Sequence, residues 1–235
     1  MDKTEYMIAG SRQRINKIEN DPDIRLGNDK IKRVKETKTL GIIIDDQLKW
    51  NTHIDNVVAK VSRAIGLIRR MKMFVPQATL ISVYNAIVQP HFDYCSLVWD
   101  IGNAYSLEKL QKMQNRAARV ITGRSYEVRS QSILQELGWQ PLVDRWKQNK
   151  AVFMYKVKNG NCLTNITNMF NVKNNLQYNL RNNECDYTSE KPKTNFLKKS
   201  IGYSGVKTWN ELPSELKHNG MSLQRFKALL RDRPI

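Results

Sequence analysis

Between Thr39 and Ile54 the apolar pattern of this chain changes period, and that change limits what the surrounding sequence can become. Leu40 and the run Ile42, Ile43, Ile44 are bulky or β-branched, which suits a strand covered on both faces or lying in a sheet core. Asp45 and Asp46 then supply turn chemistry, and Leu48 and Trp50 restore an alternating pattern, so Gly41 to Trp50 is expected to be a tight hairpin or strand corner. From Ile54 the apolar residues Ile54, Val57, Val58, Val61, Ile65 and Ile68 recur at helical spacing and share one third of a wheel. Lys60, Arg63 and Arg70 fall opposite them. Thr52 is the expected N-cap, its hydroxyl within reach of the Asp55 amide. A hairpin that feeds a long amphipathic helix is therefore the pivot.

At 235 residues with 40% hydrophobic content and five Trp, the chain has material for one large or two small cores. Its 39 Lys+Arg against 22 Asp+Glu leave a net charge of +17, and the pI is near 9.8. That excess points to a polyanionic partner, with nucleic acid first. An anionic membrane is disfavoured, because there is no long apolar run, signal sequence or terminal lipidation motif. Cys95, Cys162 and Cys185 include no close pair, so neither a disulfide framework nor a zinc site is written; reduced thiols in cytoplasm or nucleus are expected.

Lys3 to Gly10 reads as a short strand. So little lead-in points to the tail of something longer, or to a chain without its front half. Ile24 to Leu26 and Ile31 to Val34 read as a second hairpin. After the pivot helix, which Gly66 weakens, Pro76 ends the link and a helix starts near Gln77 with Leu80, Val83, Tyr84, Ile87 and Val88 as its stripe. Pro90 should kink or stop it, and Phe92 to Trp99 is core-like. Ser106 is the expected N-cap of a third helix closed by Gly123. On it Leu110, Met113, Ala117 and Ile121 share one arc, while Lys109, Lys112, Arg116 and Arg119 share an arc of about 80° nearly opposite. A cationic face spaced at three and four residues suits successive phosphates; the alternative is a plain solvated face.

Two more helices follow, Arg129 to Leu137 and one through Leu142, Trp146, Phe153 and Val157 that ends at Asn159-Gly160. Cys162 to Lys199 is rich in Asn and poor in aliphatics, so it reads as a poorly ordered connector carrying Arg181, Lys191, Lys193, Lys198 and Lys199. Tyr203, Val206 and Trp209 restore an apolar pattern, and Ser222 caps a last helix with Leu223, Phe226 and Leu230 on one face.

Little in this inventory reads as catalytic. Paired aspartates on a strand turn can hold two Mg²⁺ for phosphoryl transfer, but a third carboxylate is needed and none stands out on a strand, so Asp45-Asp46 is assigned to the turn. His53, His91 and His218 lie in separate segments without a second ligand at metal spacing, and His53 is expected to pack beside Trp50. There is no glycine-rich phosphate loop and no GxSxG.

With these residues in view, the chain resembles non-LTR retrotransposon reverse transcriptases of the jockey-like, LINE type. KTEYMI and KTLGIIIDDQLKWNTHI resemble their last palm strands. IVQPHFDYCSLVW and LEKLQKMQNRAARVITG resemble the thumb and post-thumb helices, and LQELGWQPLVDRW and GVKTWNELPSEL the C-terminal tail. The likeness implies that Leu40, Gly41, Ile42 and Ile43 belong to a primer-grip strand and that the helices from Ile54 to Thr122 form a thumb. A thumb tracks the minor groove of the template–primer duplex, and the residues expected to contact nucleic acid are the cations read from the helix faces, Lys60, Arg63, Arg70, Lys109, Lys112, Arg116 and Arg119. By the same likeness the fingers and the palm carboxylate turn lie before this chain begins, so no catalytic role passes to Asp45-Asp46. No cofactor is then bound here, and Mg²⁺ would belong to the missing palm.

The expected fold is α+β and mainly α: end-of-palm strands over 1–51, a thumb-like helical bundle over 52–160, a poorly ordered basic linker over 161–200 and a small tail module over 201–235. The expected partners are RNA, RNA–DNA hybrid or duplex DNA, and the rest of the polymerase, with no membrane. The alternative function is a stand-alone, element-derived protein that binds nucleic acid or protein without enzymatic role.

Overall fold

The computed structural model describes residues 4–173, 186–189, 191–218 and 220–232; Arg181 and Cys185, singled out above, lie outside them. The chain opens with β1 (Glu5–Tyr6), α1 (Arg12–Ile15), β2 (Arg25–Leu26), β3 (Asp29–Lys30), β4 (Lys32–Arg33), β5 (Glu36–Thr39) and β6 (Ile42–Asp45). Helices α2 (Asn51–Met71), α3 (Gln77–Ile87), α4 (Gln89–Asp93), α5 (Ser96–Trp99) and α6 (Ala104–Thr122) follow. Beyond them come α7 (Ser130–Glu136), α8 (Leu142–Lys158), α9 (Thr164–Thr167), α10 (Asn195–Lys199), a π-turn (Ile201–Gly205), α11 (Val206–Asn210), a 3₁₀ turn (Ser214–Lys217) and α12 (Leu223–Asp232). The fold is mainly α with short strands, as the pattern predicted.

The described chain forms two compact units. The first comprises residues 1–92 and 102–125, the second 93–101 and 126–235. In the first, Ile54, Val57, Val61, Ile65 and Ile68 of α2 are buried with Leu80 and Tyr84 of α3 and with Leu110, Ala117 and Ile121 of α6. These are the stripes the periodicity marks, and Gly66 does not interrupt α2, because the burial on either side outweighs the propensity cost of one glycine, about 1 kcal/mol.

The strands are shorter than their sequence implies. Only Glu5–Tyr6 of the first segment pairs, in parallel with Lys32–Arg33, and the Arg25–Leu26/Asp29–Lys30 hairpin closes the second. β5 and β6 form a two-stranded antiparallel sheet in which Thr39 opposes Ile42. Its turn is Leu40-Gly41, with φ of 49° and 84°, the two left-handed residues that a two-residue hairpin requires. The isoleucines do not sit in a sheet core: Ile42 is buried, but Ile43 and Ile44 are half-exposed on this narrow ribbon.

Asp45 and Asp46 supply a turn as expected, closed by the Leu48 amide on the Asp45 carbonyl at 3.0 Å, but it is not the hairpin's own: Asp45 ends β6 and organises the entry to α2. Its Oδ1 accepts from the amides of Gln47 (3.1 Å) and Lys49 (3.0 Å), and its Oδ2 from that of Trp50 (2.7 Å). Trp50, left-handed at φ 66°, is the residue before the helix, and Thr52 does not cap it; the Thr52 hydroxyl instead donates to Glu36 Oε1 at 2.5 Å. Ser106 is not the cap of α6 either. Asn103 is, its Oδ1 accepting from the Ser106 amide at 2.7 Å. Gly123 closes the helix at φ 76°, as expected.

The second unit packs Trp99 edge-on against Trp146, with ring centroids 5.4 Å apart. Arg145 grips Asp93 with two hydrogen bonds of 2.7 and 2.6 Å, and Lys150 meets Asp100 at 2.6 Å. A further cluster joins Met154 and Tyr155 of α8 to Trp209 of α11 and Phe226 of α12, with Tyr155 stacked on Phe226 at 4.5 Å. Within 161–200 the described residues carry α9, α10 and an antiparallel bridge between Val172 and Tyr187. Asn210 fixes the latter by accepting from the Tyr187 amide (3.0 Å) and donating to its carbonyl (2.9 Å). Among the described residues no helix is long and apolar enough to cross a membrane.

Candidate nucleic-acid interface

Helices α2 and α6 run parallel. At one end Asn51 Oδ1 accepts from Asn103 Nδ2 (2.8 Å) and from the Ser106 hydroxyl (2.9 Å). One turn on, Asp55 meets Lys109 at 2.7 Å. At the far end a Cβ placed on Gly123 would come within 2.7 Å of Lys72 Nζ, which draws an ammonium against the C-terminus of α6, where the helix dipole is negative. The cations predicted on the two helices therefore lie along one parallel pair.

They are not equivalent. Lys109 is held by Asp55 and lies 5.2 Å from the centre of the Tyr105 ring, and Lys112 pairs with Glu108 one turn earlier on α6 at 2.8 Å. These carboxylates hold both ammonium groups above the usual lysine range through hydrogen bonds. Arg116 and Arg119 are half-buried. On α2 the situation differs: from Asn56 to Phe92 the sequence has no Asp or Glu at all. Lys60 is half-exposed and Arg63 and Arg70 are exposed, with no carboxylate partner among the described residues. Arg69 and Lys72, both exposed, extend the set; sequence reasoning passed over them because it placed cations by the wheel of one helix. The missing acid over this stretch was the signal that would have found them.

Of the primer-grip-like residues, Leu40 and Gly41 form the exposed hairpin tip and only Ile42 and Ile43 lie on a strand. Leu40 is 84% exposed in a left-handed conformation, which costs a non-glycine residue roughly 1–2 kcal/mol. The Ile43 amide donates to Nδ1 of the buried His53 at 3.3 Å, and the His53 ring lies edge-on to Trp50. The hairpin is thereby tied to α2.

That bond requires an unprotonated Nδ1, and burial first, then the charge of Lys60, pulls the His53 pKa below its ordinary 6.5. His91 is lowered for the same two reasons. Between the folded value and 6.5 the unfolded chain binds more protons, so stability rises with pH in that window. It is fully present above 6.5 and falls as the pH drops from there. Urea midpoints from pH 8 to pH 5 are expected to decline below about 6.5, and His53→Asn, which keeps an acceptor for Ile43 without titrating, is expected to flatten the decline. An equal decline in the variant would remove His53 from the account.

Asp45-Asp46 does not fit a divalent-metal site. Both Asp45 oxygens are taken by backbone amides and Asp46 is buried. Among the described residues no three His, Cys, Asp or Glu side chains gather to hold an ion.

Parts of the sequence are similar to known proteins. Over 119 residues, 48% of this chain, the sequence is 24% identical to the probable RNA-directed DNA polymerase from transposon X-element of Drosophila melanogaster, covering 13% of that protein. Over 141 residues, 58% of this chain, it is 26% identical to the RNA-directed DNA polymerase from mobile element jockey of the same organism, covering 15% of it. The chain thus spans a small part of the length of these relatives and is similar to a region of non-LTR retrotransposon reverse transcriptases. No protein-family model and no solved structure matches it.

Proposed function

We propose that this chain, a region similar to those of non-LTR retrotransposon RNA-directed DNA polymerases, is the primer-grip, thumb and C-terminal portion of such an enzyme and holds template–primer nucleic acid. The observation that carries the reading is the acid-free stretch from Asn56 to Phe92, in which Lys60, Arg63, Arg69, Arg70 and Lys72 meet no carboxylate among the described residues. Exposed cations with no opposing carboxylate gain by releasing counterions from a phosphate backbone. The partner is RNA, an RNA–DNA hybrid or duplex DNA, held first through its phosphate backbone, which exposed Arg and Lys side chains match by charge. The Leu40-Gly41 hairpin, tied to α2 through Ile43 and His53, is the element that supports the primer end. Chemistry needs metal-binding carboxylates that this chain does not offer in Asp45-Asp46, so Mg²⁺-dependent extension requires the rest of the polymerase. Its place of action is nucleus or cytoplasm.

The test is a salt titration of an RNA–DNA hybrid, read by fluorescence anisotropy. If Lys60, Arg63, Arg69, Arg70, Lys72 and Arg116 each meet one phosphate, the log–log slope is expected to be about −5. A slope shallower than about −2 would sink the reading, and primer extension by the chain alone, lost in Asp45→Asn/Asp46→Asn, would overturn the assignment of the chemistry elsewhere.

A further inference from the structure

The turn between α2 and α3 presents two large apolar side chains to solvent. Met73 is 84% exposed and Phe74 86% exposed, while Val75 beside them is half-buried and anchors the turn. Side by side on one turn, the two side chains make a continuous apolar tip that is among the most exposed apolar surface of the described residues. The backbone that carries it is held: the Phe74 and Val75 amides both donate to the Met71 carbonyl, at 2.9 and 3.2 Å, and Pro76 then leads into α3. The side chains are thus displayed on a formed turn, which lowers the ordering cost of inserting them into a partner.

The surroundings name the partner's chemistry. Arg69, Arg70 and Lys72 are exposed within five residues of Phe74, and the sequence has no acid between Asp55 and Asp93. A protein partner would have to bring a dense acidic patch around an apolar socket. A nucleic-acid duplex supplies both at once, with phosphates outside and a stacked apolar interior reached by prising one step apart. Proteins that enter duplexes in this way pair apolar wedges of Phe, Met or Leu with flanking Arg and Lys.

We propose that the α2–α3 turn is a wedge: Phe74, with Met73 beside it, enters a stacked step of a nucleic-acid duplex whose flanking phosphates are held by Arg69, Arg70 and Lys72. The proposal rests on the nucleic-acid reading of α2 and adds a contact that phosphate binding alone does not require. It also assigns a use to apolar side chains that lie off the buried stripe of α2.

The experiment uses the whole chain with an RNA–DNA hybrid and a DNA duplex, each carrying 2-aminopurine at one central position. Wild type is expected to bind and to raise 2-aminopurine fluorescence, because the unstacked base is no longer quenched. Phe74→Ala is expected to weaken binding about tenfold, in line with other base–aromatic contacts, to lose the fluorescence rise and to leave the salt slope unchanged. Since the side chain is exposed, circular dichroism should be unaltered, and Phe74→Trp should restore both readouts. Wild-type binding with no fluorescence change in either labelled duplex, or a Phe74→Ala variant indistinguishable from wild type, overturns the wedge and leaves the α2 reading standing. Absence of duplex binding by wild type overturns both. Binding to phosphatidylserine vesicles that depends on Phe74, with duplex binding that does not, would make the tip a membrane contact and overturn the proposal.

Discussion

Asp186→Ala is expected to lower the unfolding free energy of the second unit by about 3–5 kcal/mol. Lys217 is only 2% exposed, and its ammonium is satisfied by Asp186 Oδ1 at 2.8 Å and by the Asn210 carbonyl at 2.9 Å. Its own carbonyl accepts from Lys158 Nζ. Removing the carboxylate strands a desolvated charge that keeps only the Asn210 carbonyl, in a place solvent barely reaches. The pair is also the clamp on the segment around residue 186, because Lys173 lies 3.8 Å from the same carboxylate and the Lys173 amide donates to the Asp186 carbonyl at 2.8 Å. Against a typical domain stability of about 5–15 kcal/mol, the loss is a large share. It is measured by urea unfolding followed through Trp fluorescence. The double variant Asp186→Leu/Lys217→Met is expected to recover most of it, since an apolar pair of similar volume carries no desolvation cost. A single-variant loss below about 1 kcal/mol would mean that the ammonium finds water or another partner.

What was legible and what was not follows from the range of the interactions. The stripes of α2, α3 and α6 and the ends at Gln77, Gly123 and Gly160 are set by neighbours within a turn, and the sequence shows them directly. The caps went wrong where a polar side chain had a better distant offer: Thr52 donates to Glu36 across the hairpin, and Ser106 donates to Asn51, 55 positions away. The same holds for the pairing of Lys109 with Asp55, invisible on the wheel of α6 because its carboxylate sits on another helix. Between 161 and 200, composition correctly reports few aliphatics. The described part is ordered instead by Asn210 imitating a strand partner for Tyr187 and by a buried ion pair, neither of which leaves a periodic trace. For the candidate interface, residue type was legible and availability was not. The seven predicted cations fall on one helix pair, yet which of them are unopposed depends on where the acids lie in space.

That difference leads to the largest expected effect on binding. Replacing Arg63, Arg69, Arg70 and Lys72 by Gln removes four exposed cations without altering the buried stripe of Ile54, Val57, Val61, Ile65 and Ile68. If each neutralises one phosphate, the salt slope becomes shallower by about 3.6, and affinity near physiological salt falls roughly a thousandfold. The matching change of Lys109, Lys112, Arg116 and Arg119 to Gln removes the same formal charge. Its effect is expected to be smaller, a slope change of about 1, because Lys109 and Lys112 must leave Asp55 and Glu108 before they can serve a phosphate. Exposed pairs of that kind contribute little to stability, so the expected asymmetry is in binding and not in fold. Circular dichroism and a salt titration on the same hybrid separate the two. Equal losses from the two sets would show that the α6 pairs open on binding and that both helices line the backbone. Loss from the α6 set alone would move the interface off α2, and with it the ground on which the Phe74 wedge stands.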